Sequence, residues 1–450
     1  MPEPICGSHH GQNGDGGDAS DYETIRLADQ LYLHTNHAPH FMASRVDIFI
    51  RDRLQPQQNT RLALLSRVLE RGTKALPTMR AINQFADGLF GAAYGSGVDQ
   101  FGDVQALHLG LEVLDSVFLP DRSEDLLRPG LELLHDVLFH PYSNADEDGF
   151  PRLMVEREKR ALDRQISNLM NDKSAYAQRR CVEAMCRGEA YGLSALGDSQ
   201  DLPALDGPQL WSCHNQLLTT RPMDIFFSSR QQVDDSTIAQ FERHFASHKR
   251  HVDSTALAAA GVSATPSATR EITEVEEVSQ GRLVLGLRTP VDLCDAAYPA
   301  LVVLNQLLGS DGHSRLHQTV REEAGLCYYI GSFLEPLCGL MFIEAGIDVH
   351  DYDEARGRIE GECRALAEDG PESGELARAK AQLTQHLRSL IDDREALMRF
   401  YLARRISQTE PGRDVMLRHI NAVSPDDVRE AARGLRLDTV YFLTSVSEGQ

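Results

Sequence analysis

The sequence predicts an α+β protein of two homologous domains, each a mainly antiparallel β-sheet packed with helices. Three observations support this fold class. The chain has 450 residues, enough for two or three domains that each bury a core. Strand-like and helix-like segments follow a similar order in its two halves, as expected for a duplicated domain. The strand-like segments alternate or pair locally, which favours antiparallel sheets.

The first half alternates between segments with the periodicity of a strand and segments with the periodicity of a helix. Residues 60–73, "TRLALLSRVLERGT", predict an amphipathic helix because apolar residues recur on one helical face until Gly72 ends the pattern. A plausible hairpin at "HAPH" joins the first two strand-like runs. The segments of this half are strands over 23–36, 41–52, 103–114 and 223–229, and helices over 60–72, 78–90, 123–138, 151–186 and 235–248.

Residues 250–270 are small, polar and weakly periodic, which indicates a linker between two domains. We therefore expect a disordered tail over 1–20, an N-terminal domain over 21–249 and a C-terminal domain over 271–450. The segments of the second half are strands over 281–289, 326–333, 339–348 and 439–446, and helices over 294–308, 314–323, 352–369, 372–391, 395–407 and 424–435.

Composition and charge argue against several classes of function. The chain carries 45 Lys and Arg residues against 67 Asp and Glu, a net charge of −22. Binding to nucleic acid or to an anionic membrane needs a basic surface, so neither is an expected partner. We find no signal peptide and no run of about 18 apolar residues, so the expected location is the cytoplasm.

Three histidines, His34, His37 and His40, stand three residues apart in "LHTNHAPHF". Histidines can hold zinc when they converge on one point. These fall at the predicted hairpin tip beside Pro39, and no nearby Cys or carboxylate supports them. We interpret them as solvent-exposed turn residues, with a metal site as the alternative.

The helix predicted over 151–186 carries a run of charged residues that includes Glu156, Glu158 and Lys159. Their spacing allows ion pairs between residues three and four positions apart. Such a run usually forms a solvated helix face, and this is our interpretation of it.

A second charged segment, "HSRLHQTVREEAGLCYYIGSF", places Arg321 near the end of a helix and two tyrosines on the following strand. Cations are favoured at helix C-termini, so a purely structural Arg321 remains open. Alternation sends Tyr328 and Tyr329 to opposite faces of the strand. Together the arginine and one tyrosine offer donors for a peptide carbonyl or carboxylate.

Taken in order, these segments resemble a known family. The chain is similar to the insulinase-like inverzincin metallopeptidases, which include pitrilysin and the mitochondrial processing peptidases. "VEREKRALDRQISNLMNDKSAYAQRR" resembles the family's first domain, and "GRLVLGLRTPV", "SRLHQTVREEAGLCYYIGSF", "GLMFIEAGID" and "LDTVYFL" resemble its second. The resemblance covers about residues 20–447 and implies half of a clamshell. It is strongest to zinc-less bacterial members that partner a zinc-bearing subunit.

In active members of the family, the helix that matches residues 60–72 carries the inverted zinc motif H-x-x-E-H. The resemblance places the first histidine of that motif at Ala63, the catalytic glutamate at Ser66 and the second histidine at Arg67. The third ligand, a glutamate on the long helix, falls at about Gln165.

These four residues are unsuited to zinc hydrolysis. Alanine has no lone pair, and arginine keeps its proton and repels a dication. Glutamine is a weak neutral ligand, and serine is no base for the proton of zinc-bound water. We therefore expect no metal, no cofactor and no activity in this chain alone. We hypothesise that Arg67 pairs with Asp163 or another carboxylate.

The resemblance also implies a role for the second domain. Active members place an Arg and a Tyr opposite the zinc, where they bind the substrate backbone and stabilise the oxyanion. On this sequence these are Arg321 and Tyr328, or Tyr329 if the register slips by one. The implied function is the non-catalytic subunit of a heteromeric zinc endopeptidase, whose homologous partner subunit carries the zinc.

Other interpretations remain open. The chain could be a peptide-binding or scaffold protein with no role in catalysis, and a homodimer is possible. It could also be a peptidase active alone through His34, His37 and His40. A serine or cysteine hydrolase is disfavoured because GxSxG is absent and Cys213 with His214 has no evident orienting group.

Overall fold

The computed structural model describes residues 21–120, 125–143, 149–252, 268–409 and 412–445. The predicted tail over 1–20 lies outside the described residues, as does most of the predicted linker. The strands are β1 Glu23–Ala28, β2 Leu31–His37, β3 Ala43–Arg53, β4 Ala93–Phe101, β5 Val104–Leu114, β6 Met223–Ser229, β7 Arg270–Val275, β8 Gly281–Arg288, β9 Cys327–Glu335, β10 Leu340–Ile347 and β11 Arg436–Thr444.

Helices separate the strands in both halves. They are α1 Gln58–Leu69, α2 Met79–Gly88, α3 Leu127–Phe139, α4 Arg152–Asn168, α5 Lys173–Met185, α6 Gly207–Thr220, α7 Asp235–Phe241, α8 Tyr298–Gly309, α9 Tyr352–Glu368, α10 Ser373–Ser389, α11 Arg394–Ser407, α12 Arg413–Ala422 and α13 Pro425–Gly434. The described residues also include two π-helical segments, Glu242–Ala246 and His317–Glu323. No helix within the described ranges has the length and apolar character needed to cross a membrane.

Each half builds one sheet, and the two sheets share a topology. The strand orders are β1-β2-β6-β3-β5-β4 and β7-β11-β8-β10-β9. Apart from β1, the strands correspond one to one in sequence order. In both sheets the first strand of the repeat pairs in parallel with the last, Leu31 opposite Met223 and Arg270 opposite Thr439, and the other pairs are antiparallel. The predicted α+β fold of two homologous, mainly antiparallel domains is confirmed.

Helices cover one face of each sheet and form the main cores. In the first half, α1 and α3 bury leucines against β3 and β5, as Leu62, Leu65 and Leu134 show. In the second half, α8 buries Leu304 and Leu308 against β8 and β10. Because α1 follows β3 and α8 follows β8, the two helices occupy equivalent places in the repeat.

The opposite face of each sheet is covered by a helix from the other half. Helix α5 packs Cys181 and Met185 against Phe342 and Tyr441 of the second sheet. Gly286 on β8 permits this approach, because a Cβ there would lie 2.6 Å from Met185 Sδ. The reciprocal contact joins α11 to the first sheet, where Phe49, Phe101, Val104, Ala106 and Phe226 surround Met398, Leu402 and Ile406.

Ion pairs reinforce both of these crossed contacts. From α5, Arg180 Nε lies 3.1 Å from Glu274 on β7. From α11, Arg399 Nη2 lies 2.6 Å from Asp99 on β4, and Arg405 Nε lies 3.4 Å from the fully buried Asp224 on β6. The two halves therefore exchange helices and charges, so that neither sheet is covered on both faces by its own half.

The structure differs from several sequence predictions. The run over 23–36 forms two strands, β1 and β2, and the predicted hairpin at "HAPH" is wrong because β6 inserts between β2 and β3. The glycine-rich segment after α2 falls in none of the predicted strands, yet it forms strand β4, which β5 holds extended. The helix over 151–186 breaks near Asp172, whose carboxylate accepts hydrogen bonds from the backbone at the start of α5.

Candidate functional site

The candidate site begins on α1, where the resemblance places the lost zinc motif. Ala63 and Ser66 are buried, and the Ser66 hydroxyl donates a 2.9 Å hydrogen bond to the Ala63 carbonyl one turn earlier. The serine therefore satisfies its hydroxyl within its own helix. Arg67 follows Ala63 by four residues and so shares its face of the helix.

Arg67 reaches across to α4, which packs beside α1. Its Nη1 donates to Gln165 Oε1 at 3.0 Å, and its Nε lies 3.4 Å from Glu158 Oε2. The side chains of Arg67 and Gln165, two of the positions that the resemblance assigns to zinc ligands, thus meet at one point. The carboxylate that pairs with Arg67 is Glu158 and not Asp163.

Glu158 is fully buried and is held by a second arginine. Arg71 Nη2 donates to Glu158 Oε2 at 2.9 Å, and Arg71 Nε lies 2.8 Å from Glu158 Oε1. The predicted solvated face is therefore wrong at Glu158. We call the set Ala63, Ser66, Arg67, Arg71, Glu158 and Gln165 the Arg67 pocket.

The zinc that the fold family implies does not fit the Arg67 pocket. The guanidinium of Arg67 occupies the space beside Gln165 and is bonded to it, so a cation there would meet a permanent positive charge. The carboxylate of Glu158 is already shared by two arginines. Three protein donors with an open water position, as catalytic zinc requires, are not available in this pocket.

Strand β4 runs beside α1 at the edge of the first sheet. Among the described residues β4 pairs only with β5, which leaves its other edge without a strand. Burial raises the pKa of Glu70 at the end of α1, although Arg71, Arg67 and a hydrogen bond from the Ser96 backbone oppose that shift. A cleft of about 410 Å³ is lined by residues of β4 and β5. Within it, no atom lies within 4 Å of the positions that a Cβ would take at Gly95 and Gly97.

The second half presents Arg321 and Tyr328 on adjoining elements. Arg321 lies in the π-helical segment His317–Glu323, and Leu326 N–H donates to the Val320 carbonyl at 3.0 Å, which ties this segment to the start of β9. The Arg321 side chain is 42% exposed, with Nη1 2.9 Å from His317 Nε2 and Nε 3.7 Å from Glu322 Oε1.

The two tyrosines of β9 differ in their surroundings. Tyr328 is 74% exposed, whereas the Tyr329 hydroxyl lies 3.1 Å from Ser174 Oγ at the start of α5. Arg282 also lies over the Tyr329 ring, 5.5 Å from its centre. Tyr329 therefore belongs to the contact between the two halves, and Tyr328 is the tyrosine that faces solvent.

The histidines at positions 34, 37 and 40 do not converge. His34 is buried on β2, with Nε2 3.0 Å from Asp224 Oδ1 and Nδ1 2.9 Å from Thr24 Oγ1. His37 Nε2 and His40 Nε2 lie 3.0 Å from the carbonyls of Arg230 and Ile391. The exposed-turn interpretation is thus wrong for His34, because β6 packs beside it, and the geometry offers no shared metal position.

Cys213 and His214 are likewise structural. Cys213 Sγ accepts a hydrogen bond from Gln58, and His214 Nε2 lies 2.7 Å from the Leu138 carbonyl. Burial lowers the pKa of His214 to about 4 and raises the pKa of Cys213 to about 11. Neither group contacts the other as a nucleophile and its base would.

Sequence reasoning missed Glu158 and Arg71 as members of the pocket, although a signal for both was present. Glu158 precedes Gln165 by seven residues, two helical turns, so both lie on one face of α4. Arg71 follows Arg67 by four residues and extends the same face of α1.

Comparison with known proteins shows which family the chain is similar to. Residues 204–383 match the family described as "Peptidase M16 inactive domain". A Bacillus subtilis protein named "Probable inactive metalloprotease YmfF" is 29% identical over 391 residues, covering 87% of this chain and 90% of the relative. A second B. subtilis protein, "Uncharacterized zinc protease YmxG", is 25% identical over 320 residues, covering 70% and 74%.

A solved structure supports the fold. The crystal structure of a conserved protein from Enterococcus faecalis V583 superposes with a TM-score of 0.84 at 23% identity, covering 96% of this chain and 100% of that one. The resemblance inferred from the sequence is confirmed, and the name of YmfF is that of a non-catalytic relative. The chain is thus similar over most of its length to insulinase-like M16 proteins, and over residues 204–383 to their inactive domain.

Proposed function

We propose that this chain is the zinc-less subunit of a two-subunit metallopeptidase and binds peptide for a homologous, zinc-bearing partner. The observation that carries the proposal is the contrast between the two candidate sites. The Arg67 pocket is closed to metal by its own ion pairs. Arg321 and Tyr328, by contrast, are exposed and free of strong ion pairs.

Arg321 and Tyr328 are suited to a peptide backbone that passes close to β9. The guanidinium offers several N–H donors and the phenol one O–H donor, each of which can donate to a carbonyl oxygen. Donors held in place before the reaction stabilise the negative charge that develops on that oxygen during hydrolysis. In the proposed complex this chain supplies these donors, while the metal and the general base belong to the partner subunit.

The unpaired edge of β4 supports peptide binding as well. An extended peptide can add to a free strand edge through backbone hydrogen bonds, largely without regard to its sequence. Gly95 and Gly97 leave open space on one face of β4, where side chains of a bound peptide could lie. The proposed partner has indirect support from B. subtilis, where one relative is named as a probable inactive metalloprotease and another as a zinc protease.

The test is reconstitution with the zinc-bearing homologue of the same organism. Each purified subunit and their mixture are assayed on a fluorogenic peptide library, and we expect cleavage in the mixture alone. With Arg321→Ala or Tyr328→Phe in the mixture, kcat/KM should fall by about tenfold to a thousandfold, while complex formation in sedimentation stays unchanged.

Two matched variants serve as controls. Arg418→Ala removes another exposed arginine, on α12, and Tyr329→Phe removes a hydroxyl that contacts Ser174. Neither is expected to change cleavage by the complex. Full activity of an Arg321→Ala, Tyr328→Phe complex would reject the catalytic role. Complex formation with peptide binding but without cleavage would favour the scaffold alternative.

A further inference from the structure

A cluster of four histidines and one aspartate lies away from both candidate sites. His135, Asp136 and His140 occupy the C-terminal end of α3, and His244 and His248 lie on and just after the π-helical segment Glu242–Ala246. The His135 ring centre is 5.1 Å from that of His140, 5.7 Å from that of His244 and 5.9 Å from that of His248.

Three of these side chains already converge. Asp136 Oδ1 lies 3.4 Å from His135 Nδ1 and 3.3 Å from His140 Nδ1. One potential ligand atom from each of the three residues lies within 4.8 Å of the others. Ligand atoms around zinc stand about 2.0–2.2 Å from the ion, so these three atoms are near the mutual spacing that one shared ion requires.

The facing segment is positioned to supply a further imidazole. His244 lies in the π-helical segment and His248 in the bend after it, and their ring centres lie 5.7 Å and 5.9 Å from that of His135. The Phe139 ring stacks on His248 at 3.7 Å and holds it against α3. His248 Nδ1 lies 3.3 Å from Ser247 Oγ, which leaves Nε2 for a ligand.

The electrostatic setting suits a neutral imidazole ligand. Burial, with the mutual repulsion of the rings, lowers the pKa of His135, His244 and His248. Glu132 and Asp136 face the cluster with negative charge, and Arg243 and Arg250 with positive charge. Neutral imidazoles bind borderline divalent ions such as Zn²⁺, Cu²⁺ and Ni²⁺, and carboxylate oxygen is an accepted further donor.

We propose that His135, Asp136 and His140, with an imidazole from His244 or His248, form a binding site for one divalent transition-metal ion. The ion would join the end of α3 to the π-helical segment across the outer part of the first half. None of its ligands belongs to the Arg67 pocket, so this site would be structural or regulatory and not hydrolytic.

The test uses the full chain and Zn²⁺, titrated in competition with a chromophoric chelator. We expect one equivalent of Zn²⁺ to bind to the wild type, and the affinity to fall at least tenfold in His135→Ala, His140→Ala. A double variant from the facing segment, His244→Ala, His248→Ala, should also weaken binding. The control His386→Ala, His419→Ala changes two exposed histidines of the second half and should bind as the wild type does.

A spectroscopic readout separates the site from a folding defect. Co²⁺ should give d–d absorption of a nitrogen- and oxygen-ligated ion in the wild type and lose it in His140→Ala, a single change at an exposed side chain. Absence of stoichiometric Zn²⁺ binding in the wild type would overturn the proposal. Unchanged affinity in both cluster variants would overturn it as well.

Discussion

At the scale of single residues, the permanent cation of Arg67 takes part in two contacts at the place where the sequence resemblance puts the lost zinc motif. Arg67 reaches both Gln165 and the buried Glu158, and Arg71 supports the same carboxylate. A buried carboxylate is costly unless it is paired and hydrogen-bonded. An arginine–glutamate network therefore joins α1 to α4 in this pocket.

This network predicts a graded loss of stability. Arg67→Ala removes two charged contacts but leaves Arg71 on Glu158, so the free energy of unfolding should fall by about 1–2 kcal/mol. Arg71→Ala leaves Glu158 with longer contacts to Arg67 and Arg157, at 3.4 Å and 3.9 Å, and should cost about 3 kcal/mol. Urea denaturation followed by circular dichroism measures both changes.

The control for these variants is Arg164→Ala, an exposed arginine on α4. Exposed substitutions away from such contacts usually change stability by less than about 0.5 kcal/mol. If Arg67→Ala proved as stable as the wild type, the pairing of Arg67 with Glu158 would have no energetic role and the interpretation would fail.

Residue-level prediction failed where burial by distant segments decided the surroundings of a side chain. The assignment of Arg67 and Gln165 to lost ligand positions stays a prediction, and their side chains are hydrogen-bonded to each other. Glu158 was read as solvated because a charged run is usually exposed, and only the packing of α1 on α4 buries it. His34 was misread for the same reason, since β6, distant in sequence, covers it.

At the scale of elements, α1 depends on a loop from elsewhere in the chain. Thr60 Oγ1 donates to Asp201 at 2.7 Å and accepts from Asp198 N–H at 2.9 Å, and Asn59 Nδ2 donates to the Ser194 carbonyl at 2.7 Å. Gly197 in this loop has φ +81°, and a Cβ there would lie 2.3 Å from Thr60 Cα. Contact with α1 therefore demands glycine at position 197.

Comparison of two glycines isolates this close approach. Gly197→Ala combines an unfavourable backbone conformation with a clash against α1 and should destabilise the protein by at least about 3 kcal/mol. Gly188 has a similar φ of +88° but no atom within 4 Å of its Cβ position. Gly188→Ala should therefore cost only about 1 kcal/mol. Thermal unfolding of the two variants measures the difference, and equal losses would contradict the clash.

Helices with a strong amphipathic periodicity were predictable from the sequence. Strands that depend on pairing with other strands were not. The amphipathic pattern predicted α1 to within two residues at its start. β4 contains "AYGSGVDQF", whose glycines disfavour a strand, yet pairing with β5 holds it extended. The parallel pairing of β2 with β6 joins segments almost 200 residues apart and leaves no local signal.

At the scale of the whole molecule, the repeat was predictable and the crossing of helices between halves was not. The order of strands and helices indicated duplication, and the two sheets share a topology. Nothing in the periodicity of α5 or α11 shows that each covers the sheet of the other half. The choice of sheet depends on shape and charge complementarity, such as Gly286 beneath Met185 and Asp99 beside Arg399.

Because the halves share their cores, we expect them to unfold together. Trp211, the one tryptophan of the chain, lies on α6 in the first half, so its fluorescence reports on that half alone. Far-ultraviolet circular dichroism reports on the helices of both halves. The two probes should give one coincident transition in urea.

A contact variant makes this test sharper. Leu402→Ala on α11 removes a fully buried side chain from the first sheet, although the residue belongs to the second half. It should lower the free energy of unfolding by about 2–5 kcal/mol. The urea midpoint measured by Trp211 fluorescence should fall by the same amount as the midpoint measured by circular dichroism. Two separated transitions would show that the halves are independent units.

The crossed helices also limit how a peptide could gain access to the proposed complex. If this chain opened at the junction between its two halves, α5 and α11 would have to separate from the sheets that they cover. In the complex proposed above, this chain would therefore move as one body. A peptide would have to enter between this chain and the partner subunit, so cross-linking the two subunits should stop turnover without unfolding either.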